Sequence, residues 1–126
     1  MRYLALDVGD RRIGVAAADD AHRLVRPLST IQRRSVAKDL EALREVIQRE
    51  NIGSLVIGLP LTLRGQPGHQ AARVRSFAAS CAALGLPIEL YDERHTSSEA
   101  QLRGAADIDA GAAAILLEDY LGQRTR

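Results

Sequence analysis

Three places along the chain put a carboxylate where folded proteins rarely keep one idle: Asp7, the pair Asp92 and Glu93, and Asp109. Asp7 sits in an apolar β-rich run over residues 3–8, just before Gly9 and Asp10. Strands disfavour aspartate, and a buried carboxylate is costly unless its charge is compensated. Its bland role is a local turn hydrogen bond. Gly9 and Asp10 already supply the turn, so its position favours function. Asp92 and Glu93 follow an apolar strand at 87–91 and precede Arg94. Sites in open α/β sheets form beyond the carboxyl ends of parallel strands. Taken alone, however, this cluster reads more simply as a solvated loop with an ordinary ion pair. Asp109 opens a helical segment in which positions 109, 113, 116 and 120 share a face. Ala113, Leu116 and Tyr120 make that face apolar, so Asp109 points over the sheet or serves only as an N-cap.

Taken together, the acids say more. Like charges held close raise each other's pKa, and a divalent cation removes the conflict. An all-oxygen, carboxylate-rich set favours Mg²⁺ or Mn²⁺. His22, His69 and His95 are scattered and read as surface residues, and the lone Cys81 permits no internal disulfide and no zinc spacing. The stretch from Gly58 through Arg64 to Gly65 leaves a buried strand and enters a helix. Its backbone amides and Arg64 suit a phosphate; the same residues suit a plain connection.

The elements that must carry these groups follow from periodicity. Residues 3–8 and 13–18 read as a hairpin and 24–31 as a third strand weakened by Pro27. Residues 35–50 have helical spacing, with Val36, Leu40, Leu43 and Ile47 inward and Asn51 and Gly53 at the end. The continuous apolar run 54–59 is expected of a strand covered on both faces. A helix follows at 70–84, with Val74, Phe77, Cys81 and Leu84 inward and Gly85 beyond it. A fifth strand occupies 87–91, a short helix with a capping-box start 96–104, and a last helix 109–121. The pattern predicts one α/β domain over residues 1–126, with a five-stranded mixed sheet: a three-strand meander, then two parallel strands, and helices on both faces.

Hydrophobic residues at 46% and charged residues at 26% fit a globular chain and exclude disorder. A net charge of +1 excludes a polycation that coats nucleic acid by charge alone. No apolar run spans a bilayer, and an acid at position 7 comes too early for a signal peptide. The expected setting is the cytoplasm, with no membrane partner.

Four blocks now make the chain resemble the YqgF/RuvX family within the ribonuclease H-like superfamily. They are Leu6-Asp7-Val8-Gly9 through Arg12-Ile13-Gly14-Val15-Ala16; Ile57-Gly58-Leu59-Pro60-Leu61 with Gly65; Asp92-Glu93-Arg94 with Thr96; and Asp109 with the Ala-rich helix ending Glu118-Asp119-Tyr120-Leu121. In order and spacing they cover nearly the whole chain. The resemblance implies a metal-dependent nuclease with Asp7, Glu93 and Asp109 as catalytic acids and metal ligands and Asp92 as a competing ligand. It implies substrate contacts at Arg12, Arg64, Arg94 and Thr96. Two Mg²⁺ or Mn²⁺ ions about 3.5–4 Å apart would act as in other two-metal phosphodiesterases. The implied task is 5′-end maturation of pre-16S ribosomal RNA, with ribosomal precursor particles as partners. The alternative is resolution of branched DNA at Holliday junctions.

Two departures stand out. The fourth strand offers Gly58 where many superfamily nucleases carry an acid, and the stretch before Asp109, residues 103–108, is short for the family. Aromatic residues are only 3%, which favours backbone and shape readout over base stacking. No long apolar stripe demands a dimer, so a monomer or weak homodimer is expected. Two rivals remain: an actin-like ATPase, whose phosphate loop resembles Asp7-Val8-Gly9 but which needs two large domains, and a non-catalytic RNA-binding module with a residual acidic pocket.

Overall fold

The computed structural model describes residues 1–21, 24–60, 68–92 and 108–124. The apolar run at the N-terminus forms β1 (Arg2–Val8), which folds back antiparallel onto β2 (Arg12–Asp19). β3 (Val25–Gln32) continues the meander. Pro27 is accommodated because β3 is an edge strand and because the ladder shifts there: Val15 faces Ser29 while Ala16 faces Pro27, leaving Leu28 as the extra residue of a bulge.

α1 (Val36–Glu50) starts at the N-cap Ser35, whose side chain accepts from the Lys38 amide, and ends at Asn51 in the left-handed region at φ 56. β4 (Ser54–Leu59) then runs parallel to β1, and every one of its residues is buried. α2 (His69–Ser80) passes into a 3₁₀ turn (Cys81–Leu84), closed by Gly85 at φ 77. β5 (Ile88–Asp92) adds in parallel beside β4, and α3 (Ile108–Arg124) completes the described elements. The sheet order is β3-β2-β1-β4-β5, so β1 is central. Both the meander and the two parallel strands agree with the sequence reading. The short helix expected at 96–104 lies outside the described residues.

The pleat sorts the core into two layers. Leu4, Leu6, Val8, Ile13, Val15, Leu55 and Ile57 pack under α1 and α2, against Leu43, Val74 and Phe77. Tyr3, Ala5, Ala16, Ala18 and Val56 face α3, against Ala113, Leu116, Leu117 and Tyr120. The inward stripe of α1 differs from the expected one. Asp39, Leu40, Leu43 and Val46 are buried, Ile47 is half-buried and Val36 is 44% exposed. The helix is rotated by about one residue because a charged side chain, Asp39, occupies an inner position.

On the α3 face the sheet is lined by small residues, and the closest approach is at Gly14 in β2. A Cβ there would fall on the Asp109 carbonyl, well inside van der Waals contact, with the Ala110 nitrogen also too near. Backbone meets backbone, so no flexible side chain can give way. Gly14→Ala must push the first turn of α3 off the sheet. Urea unfolding is expected to show a loss of about 3 kcal/mol, the upper range of overpacking costs. A loss under about 0.5 kcal/mol, the size of an ordinary surface change, would show the contact to be loose.

Candidate active site

Asp7 owes its place to strand alternation. Residues 3, 5 and 7 of β1 point to one face, where Tyr3 and Ala5 meet α3. Across the ladder Asp7 pairs with Gly14. The first turn of α3 settles on that glycine and brings Asp109 with it. Burial, and then the charge of Asp109, push the Asp7 carboxyl from its ordinary value of 3.8 up to about 6. Arg12, at the start of β2, turns its Nε to Asp109 Oδ2 at 2.8 Å. Among the described residues, no cation lies in ion-pair contact with Asp7 itself.

The turn between these groups is tight. The Gly9 amide donates to the Arg12 carbonyl at 2.8 Å. Asp10 at its tip accepts from Arg73 of α2 at 2.6 Å, an exposed pair. Arg12, expected to contact phosphate, is half-exposed and paired with Asp109.

Asp92 ends β5 opposite Leu59 of β4. Leu59 belongs to the layer under α1 and α2, and Ile88 packs against that same layer. Alternation from Ile88 places Asp92 on this face, opposite to the Asp7 face. Its neighbour Tyr91 packs on the α3 side, edge to face with Tyr120, and donates its hydroxyl to Asp119 at 2.6 Å. The expected site residues Arg64, Glu93, Arg94 and Thr96 lie outside the described residues, as do His22 and His95. Of the predicted set, the structure therefore brings Asp7, Asp109 and Arg12 together. Cys81 is buried, which pushes its thiol up to about 11 and leaves it protonated and unreactive. A cleft of about 420 Å³ lies away from the acids, between the end of β3 and α1, and is lined by Gln32, Arg34, Lys38 and Glu41 among others. Its open, mixed-charge walls offer less chemistry than the carboxylate pair.

Reasoning from sequence missed Arg33 and Asp39. Asp39 is only 2% exposed and accepts from Arg33 Nε at 3.1 Å and from the Arg34 amide at 3.0 Å. The available signal was a charged residue four positions before Leu43 on the apolar stripe of α1.

Two acids, one of them half-buried and pushed up by burial and then by the other, make a donor set of hard oxygens that a divalent cation fits. The cation would supply the charge compensation that Asp7 lacks. A central strand with an antiparallel meander on one side and parallel strands on the other is the fold of the ribonuclease H-like class of α/β proteins. Residues 1–123 match the family described as "RuvX: Holliday junction resolvase", and the chain belongs to that family. It is 41% identical to a protein from Anaeromyxobacter sp. (strain Fw109-5) named "Putative pre-16S rRNA nuclease", with 98% of each chain covered. Its fold is similar to that of T. thermophilus RuvC in complex with a Holliday junction substrate, with TM-score 0.64 and 16% identity over 99% of this chain and 96% of that one. Fowlpox virus resolvase, solved with Holliday junction DNA, is similar over 100% of both chains with TM-score 0.62 and 10% identity.

The Asp7 carboxyl makes stability depend on pH. Its pKa is about 6 in the folded protein, against 3.8 as the ordinary value. The folded state thus binds more protons in between, so the stabilising contribution is complete below pH 4 and is lost as pH rises through 6. In EDTA, Asp7→Asn is expected to be more stable than the wild type at pH 8, by on the order of 3 kcal/mol. That gap should close towards pH 4 in parallel urea titrations. A gap of the same size at both pH values would remove the repulsion and burial account.

Proposed function

We propose that this protein is a metal-dependent nuclease that hydrolyses phosphodiester bonds in RNA, acting on the 5′ end of pre-16S ribosomal RNA within ribosomal precursor particles. The observation that carries this reading is the meeting of Asp7 and Asp109 at Gly14, with the Asp7 carboxyl pushed up to about 6. Asp7, Asp109 and Glu93 would hold Mg²⁺ or Mn²⁺, which supplies Lewis-acid activation of water and neutralises charge on the phosphodiester. The name carried by the Anaeromyxobacter relative supports the choice of RNA.

The residues divide the work as follows. Asp7 would hold the cation as a carboxylate, so binding is expected to weaken below about pH 6. Asp109 would hold the cation in place of its Arg12 partner, which would leave the guanidinium for a phosphate oxygen. Arg64, Arg94 and Thr96 add further backbone contacts. Glu93 is preferred to Asp92 as the third ligand because alternation puts Asp92 on the face away from Asp7. With net charge +1, few phosphates are neutralised at once. A monomer or weak homodimer in the cytoplasm suffices for RNA trimming, and no helix among the described residues is long and apolar enough to cross a membrane.

A second reading, Holliday junction resolution, draws on the family's description and on the two resolvase folds. It requires paired active sites and hence a dimer. The test is to incubate the pure protein with pre-16S RNA, a four-way DNA junction and single strands, in Mg²⁺, Mn²⁺ or EDTA, with light scattering alongside. The expected result is cleavage of the RNA that is lost in EDTA and in Asp7→Asn. Glu93→Gln should slow turnover by about 100-fold or more, as for removal of a group acting in the transition state, and Asp92→Asn by far less. Paired, opposed cuts in the junction by a stable dimer would replace RNA with branched DNA. Retained RNA binding without cleavage in Mn²⁺ would leave a binding module.

A further inference from the structure

The turn that joins β1 to β2 is braced from outside by a side chain that the acidic site does not contain. Arg33 follows β3 directly. Its main-chain amide donates to the Arg11 carbonyl at 2.9 Å, and its Nη1 donates to the Gly9 carbonyl at 3.0 Å. The same guanidinium turns Nε to Asp39 Oδ2 at 3.1 Å and lies over the Phe77 ring at 4.7 Å from the centroid. Asp39, on the inner face of α1, spends its other oxygen on the Arg34 amide. One side chain thus ties together the β1–β2 turn, the end of β3, α1 and α2.

We propose that Arg33, locked by Asp39, is a positioning residue for the reaction: it fixes the turn and thereby the Asp7 carboxylate two residues before Gly9 and the Arg12 guanidinium three residues after it. This rests on the nuclease reading given above. A rigid planar fork is what the geometry requires, because two separate acceptors, a carboxylate and a carbonyl, are held by adjacent edges of one group. Asp39 sets the plane of the fork, and Phe77 carries its face. Gly9 has no side chain of its own to brace the turn, so its carbonyl is the handle. The Arg73 pair at Asp10 is exposed and held only at the turn's tip, which makes it the weaker support. Placement matters because a shift of about 1 Å in a reacting group costs about 100-fold in rate.

The test compares the wild type with Arg33→Lys and Asp39→Asn, using full-length protein. The lysine keeps the charge and loses the fork; the asparagine keeps the fork and loses its anchor. Amide hydrogen exchange without metal is read first, at Gly9 and across α3. The Gly9 amide, whose bond to the Arg12 carbonyl closes the turn, is expected to exchange about tenfold faster or more in both variants, with α3 unchanged. With RNA and Mn²⁺, kcat should fall about 10- to 100-fold while KM stays within about threefold. Unchanged Gly9 exchange overturns the proposal, as does unchanged kcat. A raised KM at constant kcat would place Arg33 on the substrate and overturn it too. Failure of both variants to fold would assign the pair to stability alone and overturn it. A wild type inert on every nucleic acid defeats the nuclease reading by itself; the exchange comparison still decides whether Arg33 holds the turn.

Discussion

Asp7 pairs with Gly14 across the β1–β2 ladder, and the first turn of α3 rests on that same glycine. This backbone-to-backbone contact is the constraint on which the rest of the site depends. It brings Asp109 into the field of Asp7, in surroundings poor enough in water to push the Asp7 carboxyl up to about 6. Everything else on that face accommodates the approach. Ala5, Ala16 and Ala18 keep the sheet low, and Ala113 and Ala114 keep the helix thin. Farther along, Tyr120 meets Tyr3 and Tyr91 edge to face. The helix is thus pinned at its acidic end and padded at the other.

A contact that crowds two acids works against folding, and the fold offsets it on the opposite face. There the sheet carries Leu4, Leu6, Ile13, Val15, Leu55 and Ile57, all fully buried under α1 and α2. The two faces are therefore unequal by composition: in the sheet one is built of large aliphatic side chains, while the other carries Asp7 near Ala5, Gly14 and Ala16. Arg12 relieves the crowding in part by pairing with Asp109. That pair is half-exposed and so is worth little to stability. It keeps a guanidinium at the surface beside the two acids.

The fold was legible because its signals are local. An apolar β-rich run marked β1, a continuous apolar run marked β4, and Asn51 and Gly85 marked helix ends. The ladder that makes β1 central follows from the hairpin and the parallel units. Asp7 was legible as a carboxylate at the end of that strand. The partner of Arg12 was not, because Asp109 stands 97 residues away and only the packing of α3 brings it near. Nor could alternation choose between Asp92 and Glu93. It says that neighbours differ in face, and only the register of β5 on β4 says which face is which. Asp39 was hidden for another reason. A charge beside an apolar stripe reads as its solvated border, and nothing local reveals that Arg33 waits to receive it.

That last miss shows where polar groups in this protein are placed. Among the described residues the two polar or charged side chains that are buried outright are Asp39 and Ser54. Asp39 is matched by a cation and an amide. Asp7 is less buried, and burial followed by the charge of Asp109 pushes its carboxyl up to about 6. A buried carboxylate with its partners supplied is architecture, while Asp7 is held near a like charge. The same residue type therefore does opposite work a short distance apart, and Arg33 connects the two: one edge of its guanidinium satisfies Asp39, and the other holds the turn beyond Asp7.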